Sequence, residues 1–402
     1  MNRRVDERLL ETVRLRAIEQ GGRVSGADVA EAVRASGLVV GSGTATHVIR
    51  MLQEELTGLG PLQSLADADG VSDVLVDGDG AVWVEADGVL SRAEYTFASA
   101  EDVHRLAVRL LGSGGQRLDE AEPFGDVVVG DYRVHAVLPP VAARGPVLSI
   151  RVRRRRRLGL EEVLGAGSGW FELLRTVVDS RRNFLVSGGT GSGKTTLLAA
   201  MLGQAGEAER LVVCEDAREL EPEHPHVISL QCRNGNVEGA GGVGLADLVR
   251  QSLRMRPDRL IVGECRGAEI RDFLAAMNTG HDGAGGTLHA SSCEAVPARL
   301  CAMGALAGMS GDATALQAAG AIDFLIQMRR PGRGAARRGP QTLAVLELEP
   351  NGAGHRMATR IVAHDDGTGP RFEPSAAAHV AALVAAGMPE AVVRWAQDGG
   401  PA

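Results

Sequence analysis

Apolar residues along the first 57 positions recur with a helical period. Leu9, Leu10, Val13, Leu15 and Ile18 form one stripe, Gly21-Gly22 interrupts it, and Ser25 stands where it would cap a second helix carrying Val29, Val33 and Leu38. The pattern predicts a broken helix over 5–37. A further helix over 44–57 carries Val48, Ile49, Leu52 and Leu56, and Gly58-Leu59-Gly60-Pro61 ends it. The period then shortens. Val71–Val76 and Ala81–Glu85 read as strands around Asp77-Gly78-Asp79-Gly80, and 126–129 and 132–137 as a second hairpin turning at Gly130-Asp131. With a helix expected at 99–112 between the pairs, 66–152 reads as an α+β domain, preceded by a small helical region over 1–65.

An arginine-rich linker is expected at 153–160, with five consecutive arginines at 153–157. Beyond it, a helical lead-in at 161–179 is followed by alternating strands and helices, the pattern of a mostly parallel α/β sheet. Apolar strands at 322–328 and 342–348 flank a Gly/Arg/Pro loop at 331–340 and read as a hairpin. Helices are expected at 375–387 and 388–397, so that 161–402 forms one domain with a helical tail. No repeat of 20–50 residues is visible.

Composition narrows the class. With 44% hydrophobic and 23% charged residues the chain is an ordinary globular protein, and its 402 residues suggest two or three domains. The net charge of −8 gives no global basic field for nucleic acid or anionic membrane. Five cysteines, odd in number and without CxxC spacing, argue against a disulfide framework and structural zinc, and fit a reducing cytoplasm. The charged N-terminus lacks the apolar core of a signal peptide, and no 18-residue apolar stretch exists to span a membrane. The arginine run reads as a solvated linker, a ring-interface contact or an acidic-lipid contact. Nucleic acid is the weaker alternative, because no aromatic residues interleave to stack on bases.

The chemistry centres on Gly188, Gly189, Thr190, Gly191, Ser192, Gly193, Lys194 and Thr195, a G-x-x-x-x-G-K-[ST] phosphate loop between an apolar strand at 183–186 and a helix starting near Thr196. Strand, glycine turn and helix N-terminus aim backbone N–H groups at an anion. Lys194 would reach the β/γ-phosphates and Thr195 would ligate Mg²⁺. The ligand by this pattern is ATP or GTP.

Hydrolysis also needs an acid for water or metal and positive charge for the transition state. Leu260–Glu264 is an apolar strand ending in an acid, where Glu264 would polarise water or hold Mg²⁺ through water. Val212–Leu220 is another, whose Glu215 and Asp216 suit metal-water coordination or a contact with a neighbouring subunit. His281 and His289, set among glycines, are too few for zinc but fit a γ-phosphate sensor or a hydrogen bond to water.

These motifs, in this order, resemble the secretion ATPase superfamily of type II and type IV secretion and type IV pili. Arg254–Arg259, Gly263–Gly267 and Ala276–Gly283 are most similar to its tight-adherence branch, the TadA/CpaF-like pilus ATPases, as are Gly58–Leu62, Arg117–Glu120 and Arg133–Pro140. The resemblance spans about 58–330 and is most specific over 183–292. It implies an α/β fold with a C-terminal RecA-like ATPase domain, and Mg²⁺ with ATP on the 188–195 loop and Thr196. It implies Glu264 as the acid of an atypical Walker B, an Asp box at Glu215, Asp216 and Glu219, and a His box at His281 and His289. Glu264, His289, His281, Glu215 and Arg266 are then the expected catalytic residues, and Thr195, Glu215, Asp216 and Glu264 the expected metal residues.

Members are homo-hexameric rings holding ATP between two domains, with arginines of the first domain near the phosphates. By position Arg133, Arg144 and Arg151 are the finger candidates. The expected function is a ring motor for pilus assembly or secretion in the cytoplasm, held at the inner membrane by platform proteins. The alternatives are a conjugal DNA-transfer or pilus-retraction motor, or an ATP-gated scaffold with little turnover. The loop over 234–243 is more glycine-rich than the family pattern suggests, and residues 1–57 resemble it only loosely.

Overall fold

A computed structural model describes residues 58–152, 158–165, 167–233, 241–329, 339–352, 354–365, 367 and 369–389. The helices expected at 5–37 and 44–57, the arginine run, residues 234–240 of the glycine-rich loop, residues 331–338 and the end of the expected 388–397 helix lie outside the described residues. The chain divides into two compact units, Met1–Arg155 and Arg156–Ala402.

The first unit carries α1 (Gln63–Ala66), β1 (Val71–Val76), β2 (Ala81–Ala86), β3 (Val89–Thr96), α2 (Ala100–Ser113), β4 (Phe124–Val129), β5 (Tyr132–Val137) and β6 (Val147–Val152). Its strands form one antiparallel sheet in the order β3-β2-β1-β6-β5-β4. Val74, Ile150, Val134 and Val127 are cross-strand neighbours that turn one row of the sheet into a buried face. Helix α2 packs there, burying Val103, Leu106, Ala107, Leu110 and Leu111, the i, i+3, i+4, i+7, i+8 stripe of an amphipathic helix. Ser99 caps it by accepting from the Asp102 N–H, and Glu101 and Asp102 complement the helix dipole.

Two strands of this sheet escape the sequence pattern. Strand β3 is exposed at nearly every position, so it shows no apolar alternation. Strand β6 sits centrally between β1 and β5, yet no strand is expected at 147–152, the stretch just before the basic linker.

The second unit carries α3 (Leu160–Leu164), α4 (Gly169–Asp179), β7 (Phe184–Gly188), α5 (Lys194–Leu202), β8 (Leu211–Glu215), β9 (Val227–Gln231), α6 (Leu245–Ser252), β10 (Arg259–Cys265), α7 (Glu269–Asn278), β11 (Gly285–His289), α8 (Val296–Leu306), α9 (Gly311–Ala321), β12 (Phe324–Arg329), β13 (Gly339–Asn351), β14 (Gly354–Asp365), β15 (Pro370–Phe372) and α10 (Ala377–Ala385). One sheet runs β15-β14-β13-β12-β7-β11-β10-β8-β9. From β12 to β9 it is parallel, and β13–β15 extend it antiparallel. The fold is α/β as expected, a mostly parallel sheet with helices packed on both faces.

Strands β7 and β8 are buried at every position, as parallel strands covered on both faces must be. Phe184 and Val186 face a core built with α3, α4, α5 and α10. Leu185, between them, faces the core of α6, α7, α8 and α9 on the other side. Each such fully buried side chain contributes roughly 1.5–3 kcal/mol. The hairpin expected from the two late apolar runs is the β12–β13 pair, while β14 and β15 add strands that the pattern does not reveal.

Candidate active site

Parallel strands place all their carboxyl ends on one edge of the sheet, and ligands of open α/β sheets bind there. Four candidate segments meet on that edge in the strand order β7-β11-β10-β8: the phosphate loop, His289, Glu264 and the acids at the end of β8. His289 is in register with Gly188, so the histidine ends its strand beside the first glycine of the loop.

The loop is built for close approach. A Cβ on Gly188 would sit 2.6 Å from Ser192 Oγ and 3.0 Å from Met328 Cβ, so no larger residue fits without displacing both. The buried Ser192 hydroxyl donates to Gly189 O at 2.9 Å and ties the loop across its own width. Gly193 takes a left-handed φ of 92° and begins α5, whose N-terminus no side chain caps. The first-turn amides therefore retain their affinity for an anion, and Lys194 and Thr195 occupy that turn. Lys194 is buried and donates from Nζ to Gly189 O at 3.0 Å. Burial lowers its pKa, the charge of Glu264 opposes that, and Arg266 adds to it. A buried cation beside uncapped amides fits a polyphosphate. Thr190 and Thr196 are exposed at the loop.

Glu264 reaches the site through a bulge. Pairing between β10 and β11 shifts between Val262 and Cys265, so Gly263 and Glu264 together oppose Thr287. The buried Thr287 hydroxyl donates to Gly263 O at 2.6 Å and holds the bulge in place. His289 Nε2 lies 2.6 Å from Glu264 Oε1, and the other oxygen, Oε2, is in contact with the Arg266 guanidinium. Oε1 is buried with no hydrogen-bond donor aligned on it, despite the nearness of Nε2. Arg266 Nη1 also stands 3.9 Å from Asp216 Oδ2, linking the two acidic strand ends. Burial lowers the pKa of His289. Glu264 pulls it back up, and Lys194, Arg266 and Arg299 push it further down.

Glu215 has a different setting. It is buried, and its Oε1 accepts from the N–H groups of Glu219 and Leu220 at 3.0 and 2.9 Å. It packs against Gly263, where a Cβ would come within 2.6 Å of its Cγ. This carboxylate shapes the turn that presents Asp216. Asp216 is exposed and accepts from the Cys232 thiol at 3.4 Å. Burial and then Asp216 push that thiol up to about 12.

His281 is not brought to this edge. It folds back on Ala276 O at the end of α7, with Nδ1 3.2 Å away. It precedes β11, which starts opposite Phe184 at the amino end of β7. The length of β11, about 3.3 Å per residue over Gly285–His289, separates it from the phosphate-loop edge.

In the first unit, Arg133 and Arg151 are cross-strand neighbours on one face. Arg133 donates to both oxygens of Asp126, from Nε at 3.1 Å and from Nη2 at 2.8 Å, and Arg151 donates to Asp73 at 3.3 Å. Arg144 is exposed on the segment joining β5 to β6.

Thr287 and Arg299 are absent from the sequence expectations. Thr287 had one signal, a glycine interrupting the apolar strand before Glu264, which marks a bulge that needs a partner. Arg299, exposed on α8, had none.

Among the described residues no three His, Cys, Asp or Glu side chains gather into a metal cluster, and no helix is long and apolar enough to cross a membrane. A family model described as "Type II/IV secretion system protein" matches residues 55–329. A putative conjugal transfer protein of Mycobacterium tuberculosis is 49% identical over 308 residues, covering 74% of this chain and 87% of that protein. The conjugal transfer protein TrbB of Rhizobium radiobacter is 31% identical over 298 residues, covering 72% and 88%. Among solved structures, the ATPase DotB of Legionella pneumophila shares the fold with a TM-score of 0.50 at 19% identity, covering 80% of this chain and 84% of that one.

Proposed function

The chain belongs to the type II/IV secretion system protein family, and from that premise we propose that it is a ring-forming motor powering assembly of a tight-adherence or related type IV-like pilus. It is a nucleotide-binding ATPase. The observation that carries the motor assignment is the convergence of Lys194, Glu264 and His289 on one sheet edge, beside a helix N-terminus that no side chain caps.

In this proposal Lys194 and the first-turn amides of α5 hold the phosphates of ATP. Glu264 orients the attacking water through Oε1, and neutral His289 hydrogen-bonds that water or the γ-phosphate. Arg266 pairs with Glu264 and ties it to Asp216. Thr195, Glu264 and Asp216 would hold Mg²⁺, which would supply positive charge against the phosphates. Glu215 supports the Asp216 turn. A homo-hexamer supplies one further positive charge from a neighbouring subunit, for which Arg133, Arg144 and Arg151 are the candidates. A finger of this kind is worth ~10³–10⁵ in rate. The motor works in the cytoplasm and meets the inner membrane through platform proteins.

Replacing Lys194 with Ala tests the core of the proposal. The variant is expected to fold, to lose nucleotide affinity and to release no phosphate above background. Undiminished turnover would end the assignment. The conjugal-transfer descriptions of the Mycobacterium and Rhizobium relatives favour a second cargo, transferred DNA. Pull-down of membrane partners separates the two, since pilin-platform proteins support the first and relaxosome components the second.

A further inference from the structure

Strands β7 and β12 are apolar along their shared length, with Phe184, Leu185 and Val186 paired to Phe324, Leu325 and Ile326, until the last matched row. That row is Ser187 and Gln327, both buried. The Ser187 hydroxyl donates to Gln327 Oε1 at 2.6 Å. Gln327 Nε2 is shared between two carbonyls, Ala290 O at 3.5 Å and Ser291 O at 3.4 Å. Those carbonyls belong to the two residues that follow His289. Because the order is β12-β7-β11, these hydrogen bonds link β12 through its neighbour β7 to the turn that follows β11.

Burying a hydroxyl and a primary amide costs stability unless each finds a partner, and apolar residues would fill this row at lower cost. The partners found here are specific. One end of the amide is fixed by the strand that leads into the phosphate loop, and the other grips the turn that leaves His289. The backbone of His289 is set by its pairing with Gly188, and its ring must stay within reach of Glu264 Oε1, 2.6 Å away.

We propose that Gln327 is a positioning residue, which acts through the 290–291 turn to hold His289 against Glu264 and in register with the phosphate loop. The inference rests on the role proposed above for His289. Ser187 orients the amide so that Nε2 faces the turn. A misplacement of about 1 Å at a reacting group can cost 10²-fold, and that is the scale expected here.

The test is a double-mutant cycle on the full chain with ATP, reading kcat by phosphate release, ADP affinity by calorimetry and thermal midpoint. Gln327→Met keeps the volume and removes both hydrogen-bonding ends. It is expected to lower kcat about 10²-fold with ADP affinity unchanged, and to have no further effect in a His289→Ala background. Gln327→Glu keeps an acceptor for Ser187 and loses the donor to the turn. It carries the same expectation and serves if the apolar variant does not fold. An equal loss in both backgrounds, a parallel loss of ADP affinity, or wild-type kcat in either Gln327 variant overturns the inference while leaving the ATPase site intact. Full turnover in His289→Ala alone removes the role of His289 itself, and the inference falls with it.

Discussion

His289 Nε2 stands 2.6 Å from Glu264 Oε1 on neighbouring strand ends, with Arg266 on the other carboxylate oxygen. The acid is thus flanked by a fixed cation and a titratable ring, and its one buried oxygen without an aligned donor faces the site. This arrangement sets what each partner can be asked to do.

Glu264→Gln preserves shape and removes the charge. ATP binding is expected to persist, because the loop amides and Lys194 are untouched, while turnover falls by ~10²–10⁴, the range of a general acid–base group. Calorimetry with a non-hydrolysable analogue and steady-state phosphate release read the two separately.

The pKa of His289 is lowered from 6.5 by burial, so the folded protein keeps the ring neutral to more acidic pH than the unfolded chain does. Two outcomes follow. The acid limb of kcat/KM due to this group lies below pH 6.5 and disappears in His289→Gln. Stability also falls as pH drops through 6.5, where the unfolded chain takes up a proton that the native state does not, and the variant shows a smaller decline in thermal midpoint.

Gly263→Ala would bring a Cβ within 2.6 Å of Glu215 Cγ and 3.0 Å of its Oε1. The carboxylate must then leave the amides of Glu219 and Leu220, and the bulge carrying Glu264 must shift. A loss of ~1–3 kcal/mol in denaturant stability, together with reduced turnover, is expected. An alanine variant of wild-type stability would show that the packing against Glu215 is dispensable.

At the opposite end of β10, the guanidinium of Arg259 is 1% exposed and donates to both oxygens of Glu209, at 2.7 and 3.1 Å. Burial raises the Glu209 pKa, but the hydrogen bond and charge of Arg259 outweigh it and hold the carboxyl below 4.5. Glu209→Ala leaves a buried cation without its acid and is expected to cost ~3–5 kcal/mol. The contribution is present above pH 4.5 and lost as pH falls through the lowered native value, which unfolding curves at successive pH values detect.

Much of the site was legible because its parts are local. A phosphate loop needs its glycines and lysine consecutively, and Glu264 follows directly from an apolar strand. His281 and His289 looked equivalent, since both lie among glycines. They differ because β11 runs between them, so one begins near the amino edge of the sheet and the other ends on the carboxyl edge. Glu215 read as a free acid because nothing in the chain shows that the turn after it folds back to donate two amides.

The sequence by itself determined the nucleotide loop, the acids and histidines available to it, the α/β class and the family. The loop, the acids and histidines and the class rest on short-range spacing and on the period of apolar residues, which one chain segment carries alone, and the family on the resemblance of those motifs to known members. Only the tertiary structure decided which of those groups meet. Strands β10 and β11 insert between β7 and β8 out of chain order, and β12 closes the other flank of the loop strand. Strand order arises from packing two helix layers on one sheet, so it leaves no mark at any single residue. That order puts His289 beside Gly188, Thr287 beneath Gly263 and Gln327 behind both.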